Sequence, residues 1–148
     1  MSAGTPNEAT QPTFAELLNR LFVTVHPIGG KPLSLREASK RARELGGSLS
    51  HSYIGELRSG AKDRPSQENA DLLAQVFGVR PGYFNDPGVR ARVDRDLDRL
   101  AARHRDHNLI ELAQRTASLD DVDRAALADL VQNYLRKRRT GSDERRPS

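Results

Sequence analysis

Apolar residues recur at spacings of three and four along most of this chain, the pattern that places side chains on one face of an α-helix. The first such helix is predicted after Thr13, which with Glu16 fits a capping box. Its apolar positions are Phe14, Leu17, Leu18, Leu21, Phe22 and Val25. Because no segment carries a strand signal, the chain is expected to be all-α.

Start and stop signals mark three further short helices. The segment Ser34–Glu37 is a second capping box, and Gly46-Gly47 ends the helix that it begins. Ser50 is placed to cap a third helix, His51 to Ser59, and Pro65-Ser66 opens a fourth. The positions expected to face the core are Ala38, Ala42 and Leu45, then Tyr53, Ile54 and Leu57, then Leu72, Leu73, Val76 and Phe77, with Tyr83 and Phe84 from a turn after the fourth helix.

The second half of the chain changes character. Residues 89–104 carry a narrow apolar stripe among many arginines and aspartates, which predicts an amphipathic helix unable to form a core by itself. Asn108 is then predicted to cap a shorter helix, and Ser118 to start a long final one. The residues of that final helix expected to point inward are Val122, Ala126, Leu127, Leu130, Val131 and Tyr134.

These patterns predict four parts: a disordered tail over residues 1–12, a helical domain over 13–86, a second helical domain over 87–139, and a charged disordered tail over 140–148. The 148 residues include no cysteine, which excludes disulfides, thiolate metal sites and a cysteine nucleophile. No segment approaches the roughly 20 apolar residues of a membrane span, and no signal peptide is recognisable, so a cytoplasmic protein is expected. Arginine supplies 20 of the 24 basic residues and the formal net charge is +4, which weakly favours a polyanionic partner.

The second and third helices have the arrangement of a helix-turn-helix. In that motif the first helix of the pair crosses the DNA backbone, while the second lays its N-terminal residues in the major groove. With its apolar side against the bundle, the third helix is left with a polar outer edge. The residues of that edge are Ser50, His51, Ser52, Gly55, Glu56 and Arg58.

The segment Ser50–Gly60, with Tyr-Ile-x-x-Leu before a closing glycine, resembles the λ-repressor-like (XRE) helix-turn-helix regulators. Pro65-Ser66 and the Gly-Val-Arg-Pro-Gly-Tyr-Phe ending at residues 78–84 share the resemblance. The first helix and residues 110–115 are similar to those of nucleoid-associated regulators in this family. Over residues 13–138 the resemblance implies a DNA-binding domain of λ-repressor-like fold followed by a helical dimerisation domain, in a regulator of double-stranded DNA.

The resemblance also implies roles for individual residues. Hydroxyls suit either type of base, an imidazole can donate to guanine, and a carboxylate can accept from the cytosine amine. The residues implied to read bases are Ser50, His51, Ser52 and Glu56. Those implied to bind phosphate are Arg36, Arg58, Lys62 and Arg64. Ser50 caps its helix in either case, and Glu56 has the alternative role of repelling phosphate from wrong sequences.

A homodimer is expected, because one helix-turn-helix contacts few base pairs and two half-sites multiply the affinity. The predicted dimer contacts are Val89, Val93, Leu97, Leu100, Leu127, Leu130 and Tyr134. Two alternatives stay open. One is an antitoxin-like repressor whose C-terminal helices hold a toxin, and the other is a protein-interaction adaptor that keeps the helix-turn-helix shape without its DNA function.

Catalysis is not expected, since neither a phosphate-binding loop nor a triad of catalytic side chains is recognisable. His104 and His107 have the H-x-x-H spacing of helical metal sites. Without a third ligand at a recognisable spacing, they are interpreted as solvated helix residues. Neither a metal nor another cofactor is therefore predicted.

Overall fold

The computed structural model describes residues 11–116 and 121–144, and over these ranges the chain forms six helices and no strand. This confirms the all-α prediction. Residues 1–10 of the predicted N-terminal tail, and Ser118 as the predicted start of the final helix, lie outside the described residues. The helices are α1 (Phe14–Thr24), α2 (Leu35–Glu44), α3 (His51–Ser59), α4 (Gln67–Val76), α5 (Pro87–Arg115) and α6 (Asp121–Glu144).

Side chains cap the first four helices as the sequence predicts. At α2 the Ser34 hydroxyl accepts from the Glu37 N–H at 3.1 Å, and the Glu37 carboxylate accepts from the Ser34 N–H at 3.2 Å. These bonds to Ser34 hold the pKa of Glu37 below its ordinary value. Thr13, Ser50 and Ser66 accept in the same way at the starts of α1, α3 and α4. Each cap satisfies an N–H group that a helix start otherwise leaves without a partner.

The turn between α2 and α3 needs its two glycines for different reasons. Gly46 has a φ of +91°, and the Gly47 N–H donates to the Ala42 carbonyl at 3.0 Å, which completes a Schellman ending of α2. At Gly47 the restriction is space, because an added Cβ would stand 2.1 Å from Cδ2 of Leu72 on α4. The prediction that Leu45 faces the core is wrong: α2 ends at Glu44, and Leu45 turns outward at its C-cap, 49% exposed.

We expect Gly47→Ala to lower the free energy of unfolding by about 1–3 kcal/mol, the usual cost of overpacking. Urea denaturation followed by circular dichroism measures the loss. Gly88→Ala is the control, because its Cβ would meet only a flexible carboxylate oxygen of Asp86, at 3.3 Å, and alanine is favoured over glycine in a helix. An equal loss of stability in the two variants would contradict the explanation by packing.

The hydrophobic core gathers residues from α1 to α4 and from the first part of α5. Tyr83, from the turn after α4, is fully buried in it. Phe84 stacks on Phe14 with ring centroids 4.3 Å apart. These contacts confirm that the turn after α4 places both aromatic residues on the bundle. The largest fully buried side chains are Tyr83, Phe22, Leu18, Leu21, Ile54, Leu57 and Leu73.

Polar contacts fasten the first part of α5 to this core. Arg20 on α1 pairs with Asp94 at 2.9 Å and also with Asp98. The Tyr83 hydroxyl donates to the same Asp94 carboxylate at 3.1 Å. Burial, together with the nearby charge of Asp94, raises the pKa of Tyr83. Arg90 of α5 donates back to the Tyr83 carbonyl at 3.1 Å.

The chain divides into two compact units after Leu100, and not after residue 86 as predicted. Val93 and Leu97 are only 6% and 3% exposed in the core of the first unit, and Val89 packs against that core. Since the apolar surface of Val93 and Leu97 is covered within the chain, little of it is left for a second copy. Dimer contacts at these three residues stay a prediction. The narrow stripe on α5 completes the first unit.

The second unit contains the C-terminal part of α5, from Ala101, together with α6. The separate helix predicted from Asn108 is wrong, because α5 runs unbroken to Arg115. Neither glycine nor proline interrupts residues 89–115, and an asparagine inside a helix costs only about 0.7 kcal/mol. Arg138 on α6 donates two hydrogen bonds to the Asp106 carboxylate, one of them at 2.8 Å, and a third to the Ala102 carbonyl at 3.2 Å. The hydrogen bond to Asp106 raises the pKa of Arg138.

The apolar residues of α6 divide into a covered and an uncovered set. Val131 is buried, whereas Val122, Ala126, Leu130 and Tyr134 are exposed, so the prediction that these four point inward is wrong. One helix covers only a single stripe of its neighbour. α6 also continues to Glu144, so the first part of the tail predicted for residues 140–148 is helical.

A fragment that ends after Leu100 is expected to fold, whereas one that ends after Asp86 is not, because the shorter fragment loses Val93 and Leu97 from the core. Deleting a buried side chain of this size costs about 2–5 kcal/mol, against a total stability of about 5–15 kcal/mol for a domain. Thermal unfolding followed by circular dichroism tests both fragments beside the full chain. A cooperative transition in the shorter fragment would show that α5 is dispensable for the first unit.

Candidate nucleic-acid interface

One side of α3 is buried in the protein, and the opposite side is polar and exposed. Its residues Ile54 and Leu57 are fully buried in the core of the first unit. The side chains of His51 and Ser52 are exposed, and neither hydrogen-bonds to another described residue. Ser50 accepts from the Tyr53 N–H at 3.1 Å as the helix cap, which leaves its hydroxyl hydrogen to donate elsewhere. The N-terminal end of α3 therefore carries polar groups that are open to a ligand.

Glu56 lies one turn further along α3, and its carboxylate has a partner. The Lys62 ammonium lies 3.6 Å from the Glu56 carboxylate and 5.4 Å from the centre of the Tyr53 ring. Both charged side chains remain about half exposed, and such a surface pair contributes little stability. The structure thus brings together Glu56, predicted to read bases, and Lys62, predicted to bind phosphate.

Arg58, another basic residue predicted to bind phosphate, contacts two residues of α1. Its Nε donates to the Asn19 side-chain oxygen at 2.7 Å, and its guanidinium carbon lies 4.1 Å from the centre of the Phe22 ring. Desolvation by these neighbours lowers the pKa of Arg58. These contacts restrain the guanidinium at Nε and over the ring, and the predicted phosphate contact at Arg58 stays a prediction.

A basic stripe on α2 was only partly predicted. Arg36, Lys40 and Arg43 are exposed, and their spacing of four and then three residues places them on one face of the helix. Neither these three nor Arg64, just beyond α3, form an ion pair within the described part of the chain. Lys40 and Arg43 were missed, although the helical spacing from Arg36 was a signal that could have found them.

Other candidate sites are not supported by the described residues. Across residues 11–116 and 121–144, no group of three or more His, Cys, Asp or Glu is arranged to hold a metal ion. His107, of the H-x-x-H pair, lies 3.5 Å from the Glu111 carboxylate. None of the helices described here is long and apolar enough to cross a membrane.

Comparison with known proteins agrees with this geometry. A family model described as helix-turn-helix matches residues 33–84, the stretch that contains α2, α3 and α4. The chain is also 32% identical over 124 residues to the nucleoid-associated protein EspR of Mycobacterium tuberculosis, in each of two strains. That alignment covers 84% of this chain and 93% of the relative.

These matches and the exposed face of α3 define a DNA-binding regulator of the helix-turn-helix class. Within that class, the chain belongs to the EspR family of nucleoid-associated proteins.

Proposed function

We propose that the protein recognises specific sequences in duplex DNA as a homodimer, on the nucleoid in the cytoplasm. The observation that carries this proposal is the exposure of His51 and Ser52 at the N-terminal end of a helix whose opposite side is buried. In helix-turn-helix proteins this end of the second helix meets base edges in the major groove. The description of the relative as nucleoid-associated supports the location.

Four residues at or near the start of α3 are proposed to read bases. Ser50 and Ser52 suit either type of base through their hydroxyls, and His51 can donate to an acceptor of guanine. Glu56 can accept from the cytosine amine if Lys62 moves to a neighbouring phosphate, which costs little because their pair is solvent-exposed. Binding would then exchange one ion pair for two contacts with DNA.

Phosphate binding is proposed for four exposed basic residues in or next to the helix-turn-helix that form no ion pair within the described part of the chain. Arg64 follows the C-terminal end of α3, and Arg36, Lys40 and Arg43 line the exposed stripe of α2. The first helix of a helix-turn-helix crosses the DNA backbone, which suits a row of cations along it. Contacts of this kind release counterions and make binding sensitive to salt.

Arg36→Ala and Arg64→Ala are each expected to reduce the slope of log affinity against log salt concentration by about 0.9, the value of one phosphate contact. Fluorescence anisotropy on random-sequence duplexes at several salt concentrations gives the slope. His51→Ala is the control: it should weaken binding to a duplex selected from a random library and leave the slope on random DNA unchanged. Wild-type slopes in both arginine variants would exclude these phosphate contacts.

Dimerisation is proposed through the second unit, which exposes apolar side chains on both of its helices. They are Ile110 and Leu112 of α5, and Val122, Leu130 and Tyr134 of α6. Leu130 and Tyr134 also line a hollow of about 530 Å³ on α6. Several exposed apolar residues on one small unit favour coverage by a second copy. Leu100 and Leu127, which the sequence also predicts as dimer contacts, are partly buried.

Leu130→Ser is expected to shift the protein from dimer toward monomer and to weaken binding to a selected duplex by at least about tenfold, because one half-site contact is lost. Analytical ultracentrifugation gives the mass, and anisotropy gives the affinity. Val23→Ser is a matched control, because Val23 in the first unit is 64% exposed and Leu130 is 65% exposed. A monomeric wild-type protein at micromolar concentration would refute the dimer.

A further inference from the structure

Asn19 on α1 makes two hydrogen bonds to a single residue at the far end of α3. Its amide nitrogen donates to the Arg58 carbonyl at 2.9 Å, and its amide oxygen accepts from Arg58 Nε at 2.7 Å. The Arg58 guanidinium also lies over the ring of Phe22, one turn further along α1. The end of α3 is therefore held at its backbone, at a side-chain nitrogen and at the guanidinium plane.

The backbone bond replaces one that the helix cannot make for itself. Arg58 is the penultimate residue of α3, and the last carbonyls of a helix have no N–H partner within it. Asn19 supplies a donor from another helix, 39 residues away in sequence. The bond thus ties the C-terminal end of α3 directly to α1.

A small tilt of α3 about its C-terminal end produces a large displacement at its N-terminal end. α3 has nine residues and is therefore about 13 Å long, so a tilt of about 10° about the Arg58 end moves the His51 end by about 2 Å. A hydrogen bond to a base edge tolerates only a few tenths of an ångström. Burial of Ile54 and Leu57 fixes the depth of α3 but has little directional preference, whereas hydrogen bonds have a strong one.

We propose that Asn19 is a positioning residue for DNA recognition, which sets the tilt and rotation of α3 through Arg58 without touching DNA. The side chains that it orients are those of His51 and Ser52. Arg58 lies two helical turns from His51, on the same edge of α3, so the restraint acts on the edge that meets the groove. This inference rests on the proposed function of α3.

The test compares the affinities of the full-length chain for a selected duplex and for random duplex, at several salt concentrations. Asn19→Ala is expected to lower the ratio of the two affinities by about three- to tenfold, the range that one or two hydrogen bonds correspond to. The salt slope should stay at the wild-type value, because no phosphate contact is removed. Arg58→Ala keeps the carbonyl that Asn19 binds, so it should lower the ratio by less than Asn19→Ala does, again without changing the salt slope. The double variant should lose less than the sum of the two single losses, because both variants remove the same Nε bond.

Two further variants separate positioning from general stability. Asn19→Asp keeps the acceptor for Arg58 Nε and removes the donor to the carbonyl, so an intermediate ratio is expected. Tyr83→Phe removes the bond to Asp94, which lies 3.1 Å from the Tyr83 hydroxyl, and lowers stability without touching α3. Tyr83→Phe should therefore leave the ratio unchanged.

Amide chemical shifts of the free protein supply a readout that does not depend on DNA. Signals of His51 and Ser52 should move in Asn19→Ala and stay in place in Tyr83→Phe. Unmoved signals and an unchanged ratio in Asn19→Ala would overturn the positioning role, as would an equal loss of ratio in Tyr83→Phe. A reduced salt slope in Arg58→Ala would return Arg58 to phosphate binding. If wild-type protein fails to distinguish the selected from the random duplex, the proposed function fails, and the shifts still decide whether Asn19 orients α3.

Discussion

The burial of Ile54 and Leu57 is the interaction on which the rest of the structure depends. Both side chains are fully buried, and burial of one such side chain contributes about 1.5–3 kcal/mol. Since the other side of this short helix is polar and exposed, only one face of α3 supplies burial. The remaining restraints act at its two ends: Gly47 lets the entering turn pack against Leu72, and Asn19 holds the final turn. The helix that is proposed to read DNA is thus held by its buried side, by the turn before it and by its final turn.

Much of the first unit could be predicted because its signals are local. Each helix cap joins residues three apart, and Gly46 ends α2 through bonds to the preceding turn, so the sequence pattern contained both partners. What the local patterns could not show is which residues meet when they are distant in sequence. The apolar stripe with Val93 and Leu97 predicted that one face of α5 packs against another element. It did not predict that this element is the core of the first unit. In the same way, Arg58 looked like a free cation because its partner Asn19 belongs to another helix.

The positive charge of the chain is informative only after each arginine is placed. Arg20, Arg90 and Arg138 are engaged within the protein, where they join helices and loops. Arg36 and Arg64 remain exposed beside the helix-turn-helix, with Lys40 and Arg43 on the same stripe as Arg36. A net charge of +4 is compatible with many functions. The net charge alone does not show which surface is proposed to face DNA. The position of the arginines that remain exposed, as opposed to those engaged within the protein, does.

The independence of His51 and Ser52 from their surroundings bears on how such a regulator diverges. Neither side chain hydrogen-bonds to another described residue, so replacing either one leaves the core and the helix cap as they are. Surface substitutions of this kind usually change stability by less than about 0.5 kcal/mol. If these two side chains read bases as proposed, a copy of this chain that arises by gene duplication could acquire new target genes through one or two codon changes, with no compensating mutation elsewhere. Gly47 offers no such route, because any side chain placed there would collide with Leu72, which packs against the core of the first unit.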